Sequence, residues 1–289
     1  MHNSWLTALF LATLFSATPL LLAAMGGVLS ERAGVVNIAL EGFILAGAFS
    51  GFYFGRQSLF VGVVAAVLVG SILGLLHALF TQKARMNPVV SGLGLNLLSA
   101  GITRYLALKL FPQGDQINGI DPKLFLYFAL VLPFALHYLL LQTRFGLRLR
   151  AVGESPESAR MAGIAPAPTR YIAVAGSGIC ASLAGAYLSM ADAHTFTSDM
   201  SAGKGYIALA AVIFGKWHPL GAAAGALFFG FFYALQTQLQ ISQYHLNWFG
   251  VEWTSPFILD CLPYIMTLLA LVSVIGRATP PAALDKENA

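Results

Sequence analysis

Nine apolar runs, most of them about twenty residues long, follow one another along this chain with few charges inside them. A helix needs about 20 mostly apolar residues to cross the hydrocarbon core of a bilayer. Such a segment must also satisfy all of its backbone hydrogen bonds internally, which selects helices. The runs fall at residues 5–29, 38–54, 58–81, 88–111, 124–142, 170–191, 205–215, 219–240 and 256–276. They predict an all-α, polytopic transmembrane bundle of about nine spans (eight to ten) in a single membrane domain, 1–278. Composition agrees. Hydrophobic residues make up 57% of the chain and charged residues 10%, where a soluble domain carries about 25% charged. The mean hydropathy is +0.74.

The first run reads as a retained helix rather than a signal peptide. Met1 to Trp5 carry no Lys or Arg, and Leu6 to Leu29 is long enough to span. The runs 38–54 and 205–215 are short and interrupted by glycine or charge, as expected of broken or re-entrant helices. Cys180 and Cys261 sit inside apolar runs with no paired spacing, so they read as small hydrophobes.

Lysine and arginine set the orientation. Alternate loops place 11 of the 16 on one side, among them Arg32, Lys83, Arg144, Arg150, Arg160, Arg170 and Lys216. That side is expected to be cytoplasmic, with the N-terminus outside, the C-terminus inside and an odd number of crossings. Arg104 and Lys109 lie near the outer end of the fourth run, where long side chains snorkel to the interface. The tail 279–289, with Pro280, Pro281 and a charged end, is expected to be a disordered cytoplasmic extension.

Two short motifs recur in the same order. NIALEGFI (37–44) is echoed by YIALAAVI (206–213), and GLLHALFTQ (74–82) by GFFYALQTQ (230–238). With the orientation above, the copies run in opposite directions, which predicts an inverted internal repeat. Transporters use such repeats, with the substrate path at the repeat interface. The competing explanation is repeated use of Ala, Leu and Gly for close helix packing.

The stretch 143–169 is the longest polar segment. Ser155 and Pro156 read as an N-cap and first helical position; Gly163 ends the short helix, and Pro166 and Pro168 prevent its return. A short polar helix of fixed ends suits docking to a cytoplasmic partner; a solvated loop is the plain alternative.

Within the runs, Asn37 and Glu41 share a helix face, as do Gly92, Asn96, Ser99 and Thr103. Ionisable groups in a bilayer are costly and mark function, so Asn37, Glu41, Asn96 and Ser99 are the candidate substrate-pathway residues. Helix–helix hydrogen bonding is the ordinary alternative for Ser, Thr and Asn. His77 and His137 read as packing or interfacial residues without metal-ligand spacing. The segment carrying Asp192, His194, Thr197, Ser198, Asp199 and Lys204 is a solvated outer loop or an entry for substrate. There is no GxxxxGK[ST], GxSxG or HExxH. No catalytic residues and no metal site are expected, so an energy source must lie in another chain or in an ion gradient acting through Glu41.

The runs GGVLSERAGVVNIALEGFILAGAFSG (26–51), RAVGESPESARMAGI (150–164) and GYIALAAVIFGKWHPLGAAAGALFFG (205–230) carry a resemblance. They are similar to permease subunits of bacterial ABC importers for simple sugars and nucleosides, a family that shares its architecture with branched-chain amino acid permeases. The wording ERAGVVNIALEG (31–42) most resembles the nucleoside branch. The resemblance implies a plasma-membrane permease without an ATPase site of its own, with ATP used by a partner. It implies three partners: a cytoplasmic ABC ATPase, a second similar permease in a heterodimer, and an extracytoplasmic binding protein or lipoprotein. It also implies that Gly153, Glu154, Glu157, Ala159, Ala162 and Gly163 couple the chain to the ATPase. Nucleosides are the expected cargo, with simple sugars and then branched-chain amino acids as alternatives. An ion-coupled secondary transporter is the alternative of another class.

Overall fold

The computed structural model describes residues 2–111, 115–241, 247–248, 251–252, 256–273 and 279–284. The described chain is helical apart from one ladder in which Asn247–Trp248 pairs antiparallel with Val251–Glu252. The helices are α1 (His2–Arg32), α2 (Leu40–Gly55), α3 (Leu59–Gln82), α4 (Pro88–Leu110), α5 (Pro122–Gln142), α6 (Arg144–Glu154), α7 (Pro156–Met161), α8 (Pro166–Tyr187), α9 (Lys204–Phe214), α10 (Pro219–Ile241) and α11 (Pro256–Ser273). A π-helical turn, Leu188–Asp192, extends α8. Among the described residues, five helices are long and apolar enough to cross a membrane: Trp5–Arg32, Leu59–Gln82, Pro122–Gln142, Pro166–Asp192 and Pro219–Ile241. Leu40–Gly55 and Lys204–Phe214 are shorter apolar helices. α4 is long enough but carries Ser91, Asn96, Ser99 and Thr103 on its buried face, and it stands outside that set of five.

α1 and α8 form the centre of the bundle and pack on each other. α8 also holds α2 and α3, while α1 holds α9 and α10. α2 pairs with α3, and α9 with α10. Leu20, Leu21, Leu22 and Met25 of α1, Phe43 and Ile44 of α2, and Phe229 of α10 are fully buried in this core. Glycine allows the α2–α8 approach. A Cβ on Gly47 would overlap the Ser182 backbone, and one on Gly185 would overlap the Ile44 carbonyl. The outer surface is apolar, with Phe60, Leu68 and Ile72 of α3, Leu97 of α4, and Val131 and Phe134 of α5 exposed. A contiguous apolar exterior over long helices is a lipid-facing surface.

The polar stretch 143–169 contains two complete helices where one was expected, and α8 starts within it at Pro166, because proline is tolerated in the first turn of a helix. α7 has the expected ends: Ser155 Oγ accepts from the Ser158 backbone N–H at 3.2 Å, Pro156 opens the helix, and Gly163 lies just beyond it with φ +78°. The second, α6, is capped by Thr143, whose Oγ1 accepts from Gly146 N–H at 3.1 Å. It forms because Leu149 and Val152 bury one face while Arg144, Leu147 and Arg148 stay exposed, a pattern hidden by the arginines. Of the tail, residues 279–284 are described and lie against α6: Ala283 N–H donates to the Gly153 carbonyl at 2.9 Å, and Ala283 is buried. The remainder, 285–289, lies outside the described residues.

Candidate functional site

α2 and α9 are both short, and their N-termini meet. Glu41, in the first turn of α2, turns its carboxylate onto the start of α9. Oε1 accepts from Gly203 N–H at 2.8 Å and Oε2 from Gly205 N–H at 2.7 Å. The first N–H groups of a helix have no partner within it and carry its positive dipole end, so an anion is the natural cap. Gly203 adopts φ +76°, which turns its N–H toward the carboxylate. A Cβ on Gly205 would overlap the Glu41 backbone, so only glycine permits this closeness.

Asn96 of α4 performs the same service for α2. Its Oδ1 accepts from Gly42 N–H at 2.7 Å, and its Nδ2 donates to the Ile38 carbonyl at 2.9 Å and to Tyr206 Oη at 3.1 Å. One amide therefore ties α4, α2 and α9 together. Beside it lies a cavity of about 230 Å³ between Glu41 and Leu45 of α2, Asn96 and Ala100 of α4, Tyr206 of α9, and the loop 199–203. Its wall includes the carboxylates of Glu41 and Asp199, the Asn96 amide, the hydroxyls of Ser201 and Tyr206, and the Tyr206 ring. Ligand sites commonly combine an apolar wall with a few convergent polar groups in this way. The loop is held from the far side by Tyr264, whose Oη donates to the Ala202 carbonyl at 2.9 Å. Among the described residues, no group of three or more His, Cys, Asp or Glu side chains is placed to hold a metal.

The four pathway candidates separate. Glu41 and Asn96 line the cavity. Asn37 is fully buried, donating from Nδ2 to Ser177 Oγ at 2.8 Å and accepting from Ala39 N–H at 3.1 Å, so it fastens the α1–α2 connection to α8. Ser99 is buried one turn beyond Asn96 and has no hydrogen-bond partner for its hydroxyl among the described residues. Tyr206, Ser201 and Asp199 reach the cavity from a distant part of the chain. Asp199 belonged to a stretch legible as an outer loop; Tyr206 stood in the repeat motif without a distinguishing signal. His77 is buried between Ser91 Oγ at 2.9 Å and the Val36 carbonyl at 3.1 Å, which is a packing role.

At the other end of the bundle, the six coupling candidates divide into two faces. Glu154, Glu157, Ala162 and Gly163 are exposed, and Met161 beside them is 85% exposed. Ala159 is buried. Gly153 is buried as well, and a Cβ there would overlap the Arg32 carbonyl at the end of α1. Gly153 thus joins α6 to the α1–α2 turn, where Gly34 takes φ +81°. Two further ties close this end. Arg170 of α8 donates from Nε to the Ala33 carbonyl at 3.2 Å and from Nη1 to Gln82 Oε1 at 2.9 Å. Arg32 Nε donates to the Trp217 carbonyl at 2.7 Å, and Trp217 Nε1–H donates to the buried Glu31 carboxylate. α6 is therefore in direct contact with the turn from which α2, with Glu41, departs.

Comparison with known proteins yields a family and relatives. Residues 9–271 match the family model described as branched-chain amino acid transport system / permease component. The guanosine ABC transporter permease protein NupQ of Bacillus subtilis is 37% identical, over 94% of this chain and 93% of its own. The nucleoside ABC transporter permease protein NupC of Lactococcus lactis is 34% identical, over 93% of each. A Haloferax volcanii ABC permease named for glucose, TsgC13, is 32% identical over 99% of this chain and 98% of its own.

Proposed function

The chain belongs to the permease-component family of branched-chain amino acid transport systems, and from that premise we propose that it is the membrane permease subunit of an ATP-driven importer that carries nucleosides across the plasma membrane. The observation that carries the reading is the likeness, over nearly the whole chain, to two permeases named for guanosine and nucleosides. The cavity between Glu41, Asn96 and Tyr206 is the candidate binding place, since a nucleoside needs hydrogen-bonding groups for its ribose and base edges and a ring for its base.

In this reading the energy comes from elsewhere. A separate cytoplasmic ABC ATPase binds the exposed face of Glu154, Glu157, Met161, Ala162 and Gly163, and the chain binds no cofactor itself. The buried Gly153 passes displacement on to the α1–α2 turn. An extracytoplasmic binding protein or lipoprotein delivers the cargo, and a second, similar permease completes the membrane part as a heterodimer. The N-terminus is outside and the C-terminus inside, with nine spans once α2, α4, α9 and α11 are counted with the five long apolar helices. The inverted repeat is supported by exchange of helix partners. With α1, α2 and α3 set against α8, α9 and α10, the α3–α8 contact corresponds to α10–α1 and the α2–α8 contact to α9–α1.

The test is uptake. The purified chain, reconstituted with its ATPase, second permease and binding protein, is expected to accumulate labelled nucleoside only with ATP. Accumulation by this chain alone under a proton or sodium gradient would overturn the proposal. Simple sugars are the second reading, favoured by the relative named for glucose; competition by free ribose as strong as by a nucleoside would select it.

A further inference from the structure

A cluster of aromatic rings borders the cavity. Glu41, Leu45, Phe49 and Tyr53 form an i, i+4 line along α2, which runs away from the α6–α7 end of the bundle. Leu45 and Ala100 line the cavity and also pack in the cluster above it. That cluster is made of rings. Phe49 lies against Phe196 edge-on at 5.3 Å, against Phe111 at 6.2 Å, and parallel to Tyr53 at 6.1 Å. Phe52 meets Phe111 edge-on at 5.1 Å. The rings come from three separate places: α2, the end of α4, and the loop after the α8 π turn. A clip sits over them. The Arg56 guanidinium stands 5.1 Å from the Phe111 ring and makes a 2.9 Å ion pair with Asp115, whose carbonyl accepts from Thr195 Oγ1 at 2.8 Å.

We propose that Phe49, Tyr53, Phe111 and Phe196 are the outer gate of the cavity and its specificity-determining residues, opened by a solute whose own planar ring takes over the ring–ring contacts. The physical reason is exchange. Separating aromatic side chains forfeits their edge-to-face and stacked contacts, and a nucleobase entering between them restores contacts of the same kind. An aliphatic or purely polar solute restores none. The cluster thus admits aromatic solutes at lower cost than others, before the polar groups of the cavity act. This proposal rests on the transport reading above, and its test reads the gate separately from uptake.

The test uses the assembled transporter in right-side-out vesicles, with Cys180 and Cys261 replaced by alanine and Ala100→Cys as a reporter in the cavity wall. An impermeant maleimide is added outside. The reporter is expected to be protected while the ring cluster is intact. Phe49→Ala, which loses three ring–ring contacts, is expected to raise its labelling about tenfold or more, and Phe196→Ala, which loses one, about threefold. Rapid labelling with the cluster intact, or unchanged protection when both rings are removed, would overturn the gate. Phe49→Leu keeps the bulk and loses the ring. It is expected to keep the reporter protected while nucleoside uptake falls about three- to tenfold, and Phe49→Tyr to restore it. Wild-type nucleoside uptake in Phe49→Leu would overturn the ring-exchange basis of specificity. Expected labelling with no nucleoside uptake by any form would instead sink the transport reading and leave the gate standing.

Discussion

The Glu41 carboxylate lies 2.7 Å from the backbone nitrogen of Gly205, a residue 164 positions further along the chain. Its second oxygen is taken by Gly203 N–H. The glutamate that reads in sequence as a substrate-pathway residue, or as the ion-linked carboxylate of a secondary transporter, both lines the cavity and caps α9. Glu41→Gln removes the charge and presents an amide N–H toward one of the two donors. Hydrogen bonds to charged groups are worth ~1.5–3 kcal/mol, so a loss near ~2 kcal/mol is expected. Thermal unfolding in detergent should show a clear fall in Tm, with uptake reduced in parallel. A Glu41→Gln chain as stable as the wild type would remove Glu41 from this role.

The two faces of the α6–α7 segment should respond differently. Glu157→Lys and Met161→Asp alter exposed side chains, so stability should change by no more than about 0.5 kcal/mol. Co-purification of the ATPase should be lost. Gly153→Ala drives a methyl into the Arg32 carbonyl, and overpacking of this kind costs about 1–3 kcal/mol. Its Tm should fall first. Normal ATPase capture by both surface variants would refute the docking face.

Trp217→Phe removes one of two N–H donors to the Glu31 carboxylate, which is buried at the end of α1 and keeps the Asn37 backbone N–H. An abandoned buried acceptor costs roughly 1–3 kcal/mol, more when charged, whereas replacing both partners by apolar groups is far milder. The expected order of Tm is wild type, then Trp217→Phe with Glu31→Leu, then Trp217→Phe alone. A double variant less stable than the Trp217→Phe chain would contradict the pairing.

His218, in the turn between α9 and α10, has its pKa held below the usual imidazole value by burial first, then by His137, whose ring centre lies 4.9 Å away, and by Arg32. The unfolded chain therefore takes up a proton here more readily than the folded one. Stability from this site is present above the ordinary value of 6.5 and is lost as pH falls below it. Tm should decline on acidification from pH 7 toward 5, and His218→Asn should flatten that slope. An unchanged slope would place the effect on other groups.

Much of the scaffold is legible in the residues. Each apolar run described here lies on a helix, because a run of twenty apolar residues in a bilayer has no other way to satisfy its backbone. The short helix after Ser155 was readable from its cap, its proline and its stopping glycine. α6 was not, because its arginines conceal the two buried apolar side chains, Leu149 and Val152, that hold it to the bundle. Glu41 and Asn96 stood out as polar groups in apolar surroundings. Asn37 had the same appearance and proved to be a fastener to Ser177. Local composition does not distinguish a polar residue facing a cavity from one facing a neighbouring helix.

The chain's order of residues determined a helical membrane protein, its long apolar helices, and the capped short helix in the polar segment. These come from short-range physics: hydropathy, caps and glycine stops. Only the tertiary structure decided what Glu41 touches, that Tyr206 and Asp199 share a cavity with Asn96, and that rings from α2, the end of α4 and the loop after α8 gather beside it. Those relationships join residues from about sixty to 164 positions apart. They depend on how closely glycine lets the helices approach, which no local stretch of sequence records.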